Sequence, residues 1–193
     1  MPTPTTYKFV VDGLARTCSG KTLNLLSPTP DQIDIEDIAT ALSRTAMYAG
    51  ESEHFYSVAQ HSFEVARNID RQQFRLAGLL SRAAAAYIGD ISKIRASFPD
   101  VANAERLIQE AIHQRFGLPA VLPAEMNQEI QRAELKVQAT EFRDLLPNDA
   151  FNWYEASGIR PALGRLSPMS QSRARNGFKS FLNMIQTADL LGD

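Results

Sequence analysis

One cysteine and three histidines in 193 residues leave little with which to build a disulfide or a dense soft-metal cluster. Cys18 has no second thiol in the chain, which excludes an internal disulfide and fits a reducing compartment. No apolar run is long enough to cross a bilayer. Met1–Thr6 is polar and carries prolines where a secretory leader would carry an apolar stretch. An excess of charge of one sign is also missing. The 20 Lys+Arg against 22 Asp+Glu give a net charge of −2, so no global basic field points to nucleic acid. These absences leave a cytoplasmic globular chain as the expectation, with neither a membrane nor a nucleic acid among its partners.

What is there is an ordinary folding composition, 44% hydrophobic and 22% charged, over a length that suits one domain spanning residues 1–193. Strand signals are confined to the first 30 residues. "YKFVV" (7–11) alternates weakly, "DG" (12–13) is a turn signal, and "SG" (19–20) predicts a hairpin into "KTLNLL" (21–26). The prolines of "SPTPD" (27–31) close that extension. Residues 31–193 then read as a helical core. "DIEDIATALSRTAMYAG" sets Ile35, Ile38, Ala41, Leu42 and Thr45 on one face, with Gly50 as its end. "YSVAQHSFEVARNI" follows at helical spacing. "DRQQFRLAGLLSRAAAAYIG" predicts one helix capped by Asp70. "DVANAERLIQEAIHQRFG" ends at Gly117, and a long helix fits between Pro123 and Pro147. Residues 148–166 read as loop. The last helix is expected to start with Ser167 as cap and Pro168 in its first turn. The fold class is all-α with a small N-terminal β-hairpin.

Polar side chains on the apolar helices carry the functional signal. His61 lies inside "YSVAQHS", Arg82 and Asp90 on and just after the next helix, and Glu134 inside "RAELKVQATEFRDLLP". A histidine on one helix and acidic groups on two others suit a metal-assisted hydrolase. Each also has a plainer reading. His61 alone is more often a hydrogen-bonded core histidine. Arg82 can snorkel to water, Asp90 can cap a helix end, and Glu134 can share a solvated face with Arg132 and Lys136. Arg44 reads most simply as a surface arginine.

The order and wording of "LNLLSPTPDQIDIEDIATALSR", "FYSVAQHS", "LLSRAAAAYIGDI" and "ELKVQATEFRDLLP" resemble the HD-domain phosphohydrolases, in the branch of 5′-deoxynucleotidase-type enzymes and their bacterial and phage relatives. The resemblance covers roughly residues 7–190 and implies an HD-domain helical bundle. Where this chain reads "LLSRAAAAYIGDIS", the branch typically reads "LLHDAAEAYIGDIP". By that match His61 stands at the first metal ligand, Ser81 and Arg82 replace the ligand His-Asp pair, and Glu134 stands at the last aspartate. Ala85 replaces the glutamate that helps activate water. Asp90 keeps the position of a catalytic aspartate, and Arg44 that of a phosphate-contacting arginine.

Transition-metal sites of this kind need about four protein ligands, or three and water. Only His61 and Glu134 remain, and Arg82 brings a permanent positive charge to the place of the cation. The expectation is therefore a pseudoenzyme without metal, cofactor or catalytic residue, in which Arg82 pairs with Glu134, Asp90 or both. Arg44, Arg82, Lys93 and Arg95 are the expected contacts for a nucleotide or other phosphorylated small molecule, held for sensing or sequestration. A protein-binding or structural scaffold is the alternative, and a phosphohydrolase with a rearranged site a second one. The apolar "FKSFLNMIQTADLL" fits either the interior or a homo-oligomer contact. His54 and His113 are expected at the surface. Cys18 is expected to lie far from any base, and "GLARTCSGK" has the wrong spacing for a phosphate loop.

Overall fold

The computed structural model describes residues 13–91, 97–147 and 157–191, with side chains up to 188. Strands β1 (Leu14–Arg16) and β2 (Thr22–Asn24) pair antiparallel, Ala15 opposite Leu23. The turn between them uses Gly20 at φ 87°, a left-handed position that glycine adopts without strain. The expected first strand, 7–11, lies outside the described residues. Gly13, also at positive φ, is held against Leu26, whose Cγ would sit 2.9 Å from a Cβ added there.

Seven α-helices follow among the described residues, so the chain is all-α beyond its hairpin. Helix α1 (Ile35–Arg44) opens at Asp34, whose carboxylate accepts from the Glu36 N–H at 2.9 Å. It stops at Thr45 rather than running to Gly50. The reason is a competing pairing: Met47 N–H donates to Tyr56 O (2.8 Å) and Val58 N–H to Thr45 O (2.9 Å). Tyr48 and Ala49 turn the chain back at φ 56° and 57°. Two non-glycine residues in the left-handed region cost on the order of 1–2 kcal/mol each, which the contacts of Tyr48 offset.

Helix α2 (Val58–Arg67) is capped by Ser57 and is buried continuously from Val58 to Ser62. The single helix expected from Asp70 is broken. It becomes a 3-10 turn at Gln72–Phe74, α3 (Arg75–Leu79), a turn over 80–84 and α4 (Ala85–Ile88). Asp70 caps nothing. Arg71 directs the chain there, donating its N–H to Glu129 (2.9 Å) and pairing its side chain with Glu125 and Glu129 at 3.0 Å. The break is bridged by one amide. Gln109 donates to Leu80 O (2.7 Å), which also accepts from the Ala83 N–H (3.0 Å), and accepts from the Ala84 N–H (3.2 Å), the backbone group that the missing helical turn leaves open.

Helices α5 (Pro99–Arg115) and α6 (Ala124–Leu145) match their sequence signals. Helix α7 (Gln171–Leu191) starts later than expected. Ser170, not Ser167, accepts from the N–H of Arg173 (3.3 Å), because residues 167–169 are held elsewhere. Leu23, Ile38, Leu42, Tyr56, Ile108 and Phe178 belong to the main core, and Val65, Phe74, Met126 and Val137 to a second cluster. Ala174, Phe178, Leu182 and Ile185 of α7 are buried in the main core, so the apolar C-terminal face packs inside the domain. No helix among the described residues is long and apolar enough to cross a membrane.

Candidate functional site

Two polar assemblies share helix α6, about two turns apart. The deeper one centres on Glu141, which is fully buried. Its Oε1 accepts from His61 Nδ1–H and from the Tyr56 hydroxyl, both at 2.7 Å, and its Oε2 accepts from the Tyr48 hydroxyl. Burial pushes the Glu141 carboxyl up, but the adjacent His61 ring and the three donors outweigh it and hold the group below its ordinary range. The same burial, with the Glu141 charge beside it, drives the Tyr56 phenol well above its ordinary value. The reversed backbone at Tyr48 and Ala49 thus has a role: it delivers the Tyr48 hydroxyl to this carboxylate.

With Nδ1–H given to Glu141, His61 turns its Nε2 elsewhere. That atom is buried and has no hydrogen-bond partner among the described residues. Leaving a buried polar atom unsatisfied costs about 1–3 kcal/mol. A carboxylate fixing one ring nitrogen while the other is left open is the geometry of a histidine prepared for a ligand.

The second assembly surrounds Arg82. Its Nε lies 3.6 Å from Glu134 Oε1 and its Nη1 3.9 Å from Asp90 Oδ1, with all three side chains about one-fifth exposed. Ser81 donates its hydroxyl to the same Glu134 oxygen at 3.4 Å. Arg82 therefore stands between the two carboxylates, as expected, at ion-pair rather than hydrogen-bond distance. Its buried Nε has no hydrogen-bond partner among the described residues. Ser81, Arg82, Ala85, Asp90 and Glu134 line one cavity of about 290 Å³, so the structure brings together five positions that the sequence singled out. Glu105 lines it as well. Among the described residues one guanidinium and three carboxylates thus line this cavity.

These residues do not fit a metal ion. Among the described residues, no group of three or more His, Cys, Asp or Glu side chains is placed to hold one. The open His61 Nε2 is a suitable ligand atom, but the cationic Arg82 between Glu134 and Asp90 is not a ligand at all.

Of the expected phosphate contacts, Arg44 and Arg82 line different cavities. Arg44 is exposed at the end of α1 and lines a different cavity, of about 150 Å³, with Arg16, Cys18 and Asp37. Lys93 and Arg95 lie outside the described residues. Two further expectations are corrected. His113 is buried, not superficial: its Nδ1–H donates to Ala120 O (3.0 Å), and its Nε2 accepts from Gln109 (2.8 Å). Burial pushes its pKa down, in keeping with that neutral ring. Cys18 has a base beside it, since Asp37 Oδ1 lies 3.1 Å from its Sγ. Burial and the Asp37 carboxylate raise the thiol's pKa, which works against a thiolate nucleophile. Sequence reading also missed Glu141, Tyr48 and Tyr56. The one available signal was the position of Glu141, two turns beyond Glu134 on an amphipathic helix.

No protein-family model matches the chain. The uncharacterized protein YfdR of Escherichia coli (strain K12) is 36% identical over 145 residues, which cover 75% of this chain and 79% of that one. An uncharacterized protein of Rhodobacter capsulatus is 39% identical over 129 residues, 62% of this chain and 66% of that one.

Proposed function

The chain belongs to the same family as YfdR of Escherichia coli, and from that premise we propose that it is a non-hydrolytic protein on an HD-domain-type helical bundle. It holds a nucleotide or other phosphorylated small molecule without a metal ion and without turning it over. The observation that carries the metal-free, non-hydrolytic part of this reading is the position of Arg82, 3.6 Å from Glu134 and 3.9 Å from Asp90. Two carboxylates in a cleft need a compensating cation, and a guanidinium supplies it permanently. A divalent ion entering the same cleft would meet a fixed positive charge a few ångströms away.

The His61–Glu141–Tyr48–Tyr56 network supports the reading in a second way. It has the form of the outer support of a histidine ligand, while the cavity about two turns away along α6 carries Ser81, Arg82 and Ala85, none of which supplies a carboxylate or imidazole. A cytoplasmic location fits the single, exposed Cys18.

The test is metal binding by titration calorimetry with manganese, cobalt and zinc, alongside nucleoside monophosphate hydrolysis. The wild-type chain is expected to show neither. The triple change Ser81→His, Arg82→Asp, Ala85→Glu is expected to create metal binding, since it supplies an imidazole and two carboxylates in the cavity lined by Glu134 and Asp90. Micromolar metal binding with hydrolysis by the wild-type chain would refute the reading. A folded triple variant that binds no metal would refute the assignment of the site.

A further inference from the structure

The Arg82 cavity is poorly charged for a phosphate, with Asp90, Glu105 and Glu134 on its walls. A larger cavity, of about 600 Å³, is charged the other way. Four cations from four different segments line it: Arg67 at the end of α2, Lys136 in α6, Arg165 in the connection to α7, and Arg173 in the first turn of α7. One carboxylate, Glu64, faces them; it sits 3.7 Å from Arg67. Lys136, Arg165 and Arg173 have no ion-pair partner among the described residues. On a chain whose net charge is −2, this is a local concentration of one sign that repels itself unless an anion is present.

The wall carrying Arg165 is built, not merely exposed. Residues 162–169 form no helix or strand, yet side chains from α2 and α6 fix their backbone. Gln60, which is buried, donates to Ser167 O (2.9 Å) and accepts from the Met169 N–H (2.7 Å). Thr140 accepts from the Ala162 N–H (2.8 Å), and Asp144 from the Leu166 N–H (2.7 Å). Arg143 donates to Ala162 O and Gly164 O at 3.2 and 2.5 Å. A loop held at both ends and in the middle presents Arg165 in a fixed place, so little ordering entropy remains to oppose binding. The same loop offers an apolar edge, because Leu163 is fully exposed beside the cations.

We propose that this groove seats a nucleoside di- or triphosphate, with the phosphoryl groups among Arg67, Lys136, Arg165 and Arg173 and the base along Leu163. The size agrees with small-ligand clefts, which run to roughly 300–1,000 Å³. The assignment rests on the reading above for the class of ligand alone, and moves the ligand away from the Arg82 cavity.

The experiment is titration calorimetry of the full chain with ATP, GTP and inorganic tripolyphosphate, with a chelator present to exclude metal. Binding is expected to all three, weakening steeply with salt. Lys136→Glu and Arg165→Glu change exposed side chains, and circular dichroism checks their folding. Each is expected to weaken binding by at least about tenfold, as loss of a charge-assisted contact implies. Arg82→Gln and Arg44→Glu are expected to leave binding within about twofold. Leu163→Ser is expected to weaken the nucleotides but not tripolyphosphate. If the wild-type chain binds none of the probes, both the ligand class and the groove are wrong. If Arg82→Gln abolishes binding while the groove variants keep it, the ligand class stands and the groove is wrong. A single-stranded RNA 12-mer that binds a hundredfold tighter than ATP, through the same arginines, would replace the small ligand with a nucleic acid and overturn the proposal.

Discussion

Replacing Glu141 with glutamine keeps the shape of the side chain and removes its charge. In the native protein that charge accepts from His61 and Tyr56 at one oxygen and from Tyr48 at the other, with the side chain fully buried. Hydrogen bonds to a charged group contribute about 1.5–3 kcal/mol each. Against the three of them stands the desolvation of a buried carboxylate, itself several kcal/mol. Glutamine retains one acceptor oxygen but puts an NH₂ group where the other oxygen stood, so the Tyr48 hydroxyl must turn from donor to acceptor and all three bonds lose their charge assistance. The expected net loss at pH 7 is about 3 kcal/mol. With a urea slope of about 2 kcal/mol/M, the midpoint falls by roughly 1.5 M.

The pH dependence has a definite sign. The Glu141 carboxyl is held below its ordinary value of 4.5, so its contribution is complete above that value and is lost as the pH falls through the depressed folded value. The gap between wild type and Glu141→Gln should therefore be widest near neutrality and close in acid, where the wild-type side chain is itself protonated. Urea unfolding at pH 7, 5 and 3.5, followed by circular dichroism, measures it. A gap below about 0.5 kcal/mol at pH 7, or one that widens toward acid, would refute the account of the network.

Gln109→Leu removes the amide that bridges the break between α3 and α4 and leaves Leu80 O, the Ala84 N–H and His113 Nε2 without it. A loss of about 2–4 kcal/mol is expected, with faster hydrogen exchange at Ala84; a loss under about 0.5 kcal/mol would show that the break is held by packing instead. Cys18 should react slowly with a disulfide reagent at pH 7.5 although it is exposed, because the Asp37 carboxylate works against the thiolate. Asp37→Asn should speed that reaction; an unchanged rate would show that the carboxylate does not govern the thiol.

Periodicity made the long helices legible. Helices α5 and α6 fall where proline, glycine and a 3.6-residue apolar pattern place them, because nothing tertiary competes with those signals. The failures share one cause. Helix α1 ends early because Thr45 and Met47 pair with the strand-like segment at 56–58. The helix through 80–84 breaks because Gln109, from 25 residues beyond Ala84, supplies the missing backbone partner. Helix α7 starts late because Gln60, more than 100 residues upstream, captures Ser167 and Met169. Each is a long-range hydrogen bond from one amide or backbone group, and no local window contains it. The positions around Arg82 were legible because the resemblance to HD-domain phosphohydrolases singled out Ser81, Arg82, Ala85, Asp90 and Glu134, while Glu105, from a third segment, carried no signal. The cationic groove was not, since Arg67, Lys136, Arg165 and Arg173 come from four separate stretches of ordinary surface sequence.

The two assemblies on α6 also differ in what they can tolerate. His61 and Glu141 are fully buried and partner each other. Removing either leaves a buried polar group stranded, at a cost of roughly 3–5 kcal/mol for a broken buried pair, a large share of the stability of a single domain. Ser81, Arg82, Asp90 and Glu134 border an open cavity, and the three charged groups are about one-fifth exposed, so water compensates much of any change there. Substitution is cheap in the cleft and expensive at the buried pair. On the reading proposed above, catalytic groups can be exchanged while the buried pair stays in place. A histidine with its Nδ1 anchored and its Nε2 without a partner is the arrangement that sequence of events leaves behind. The same asymmetry is why the triple substitution is a fair test: it alters only cleft positions and relies on a support that the fold itself maintains.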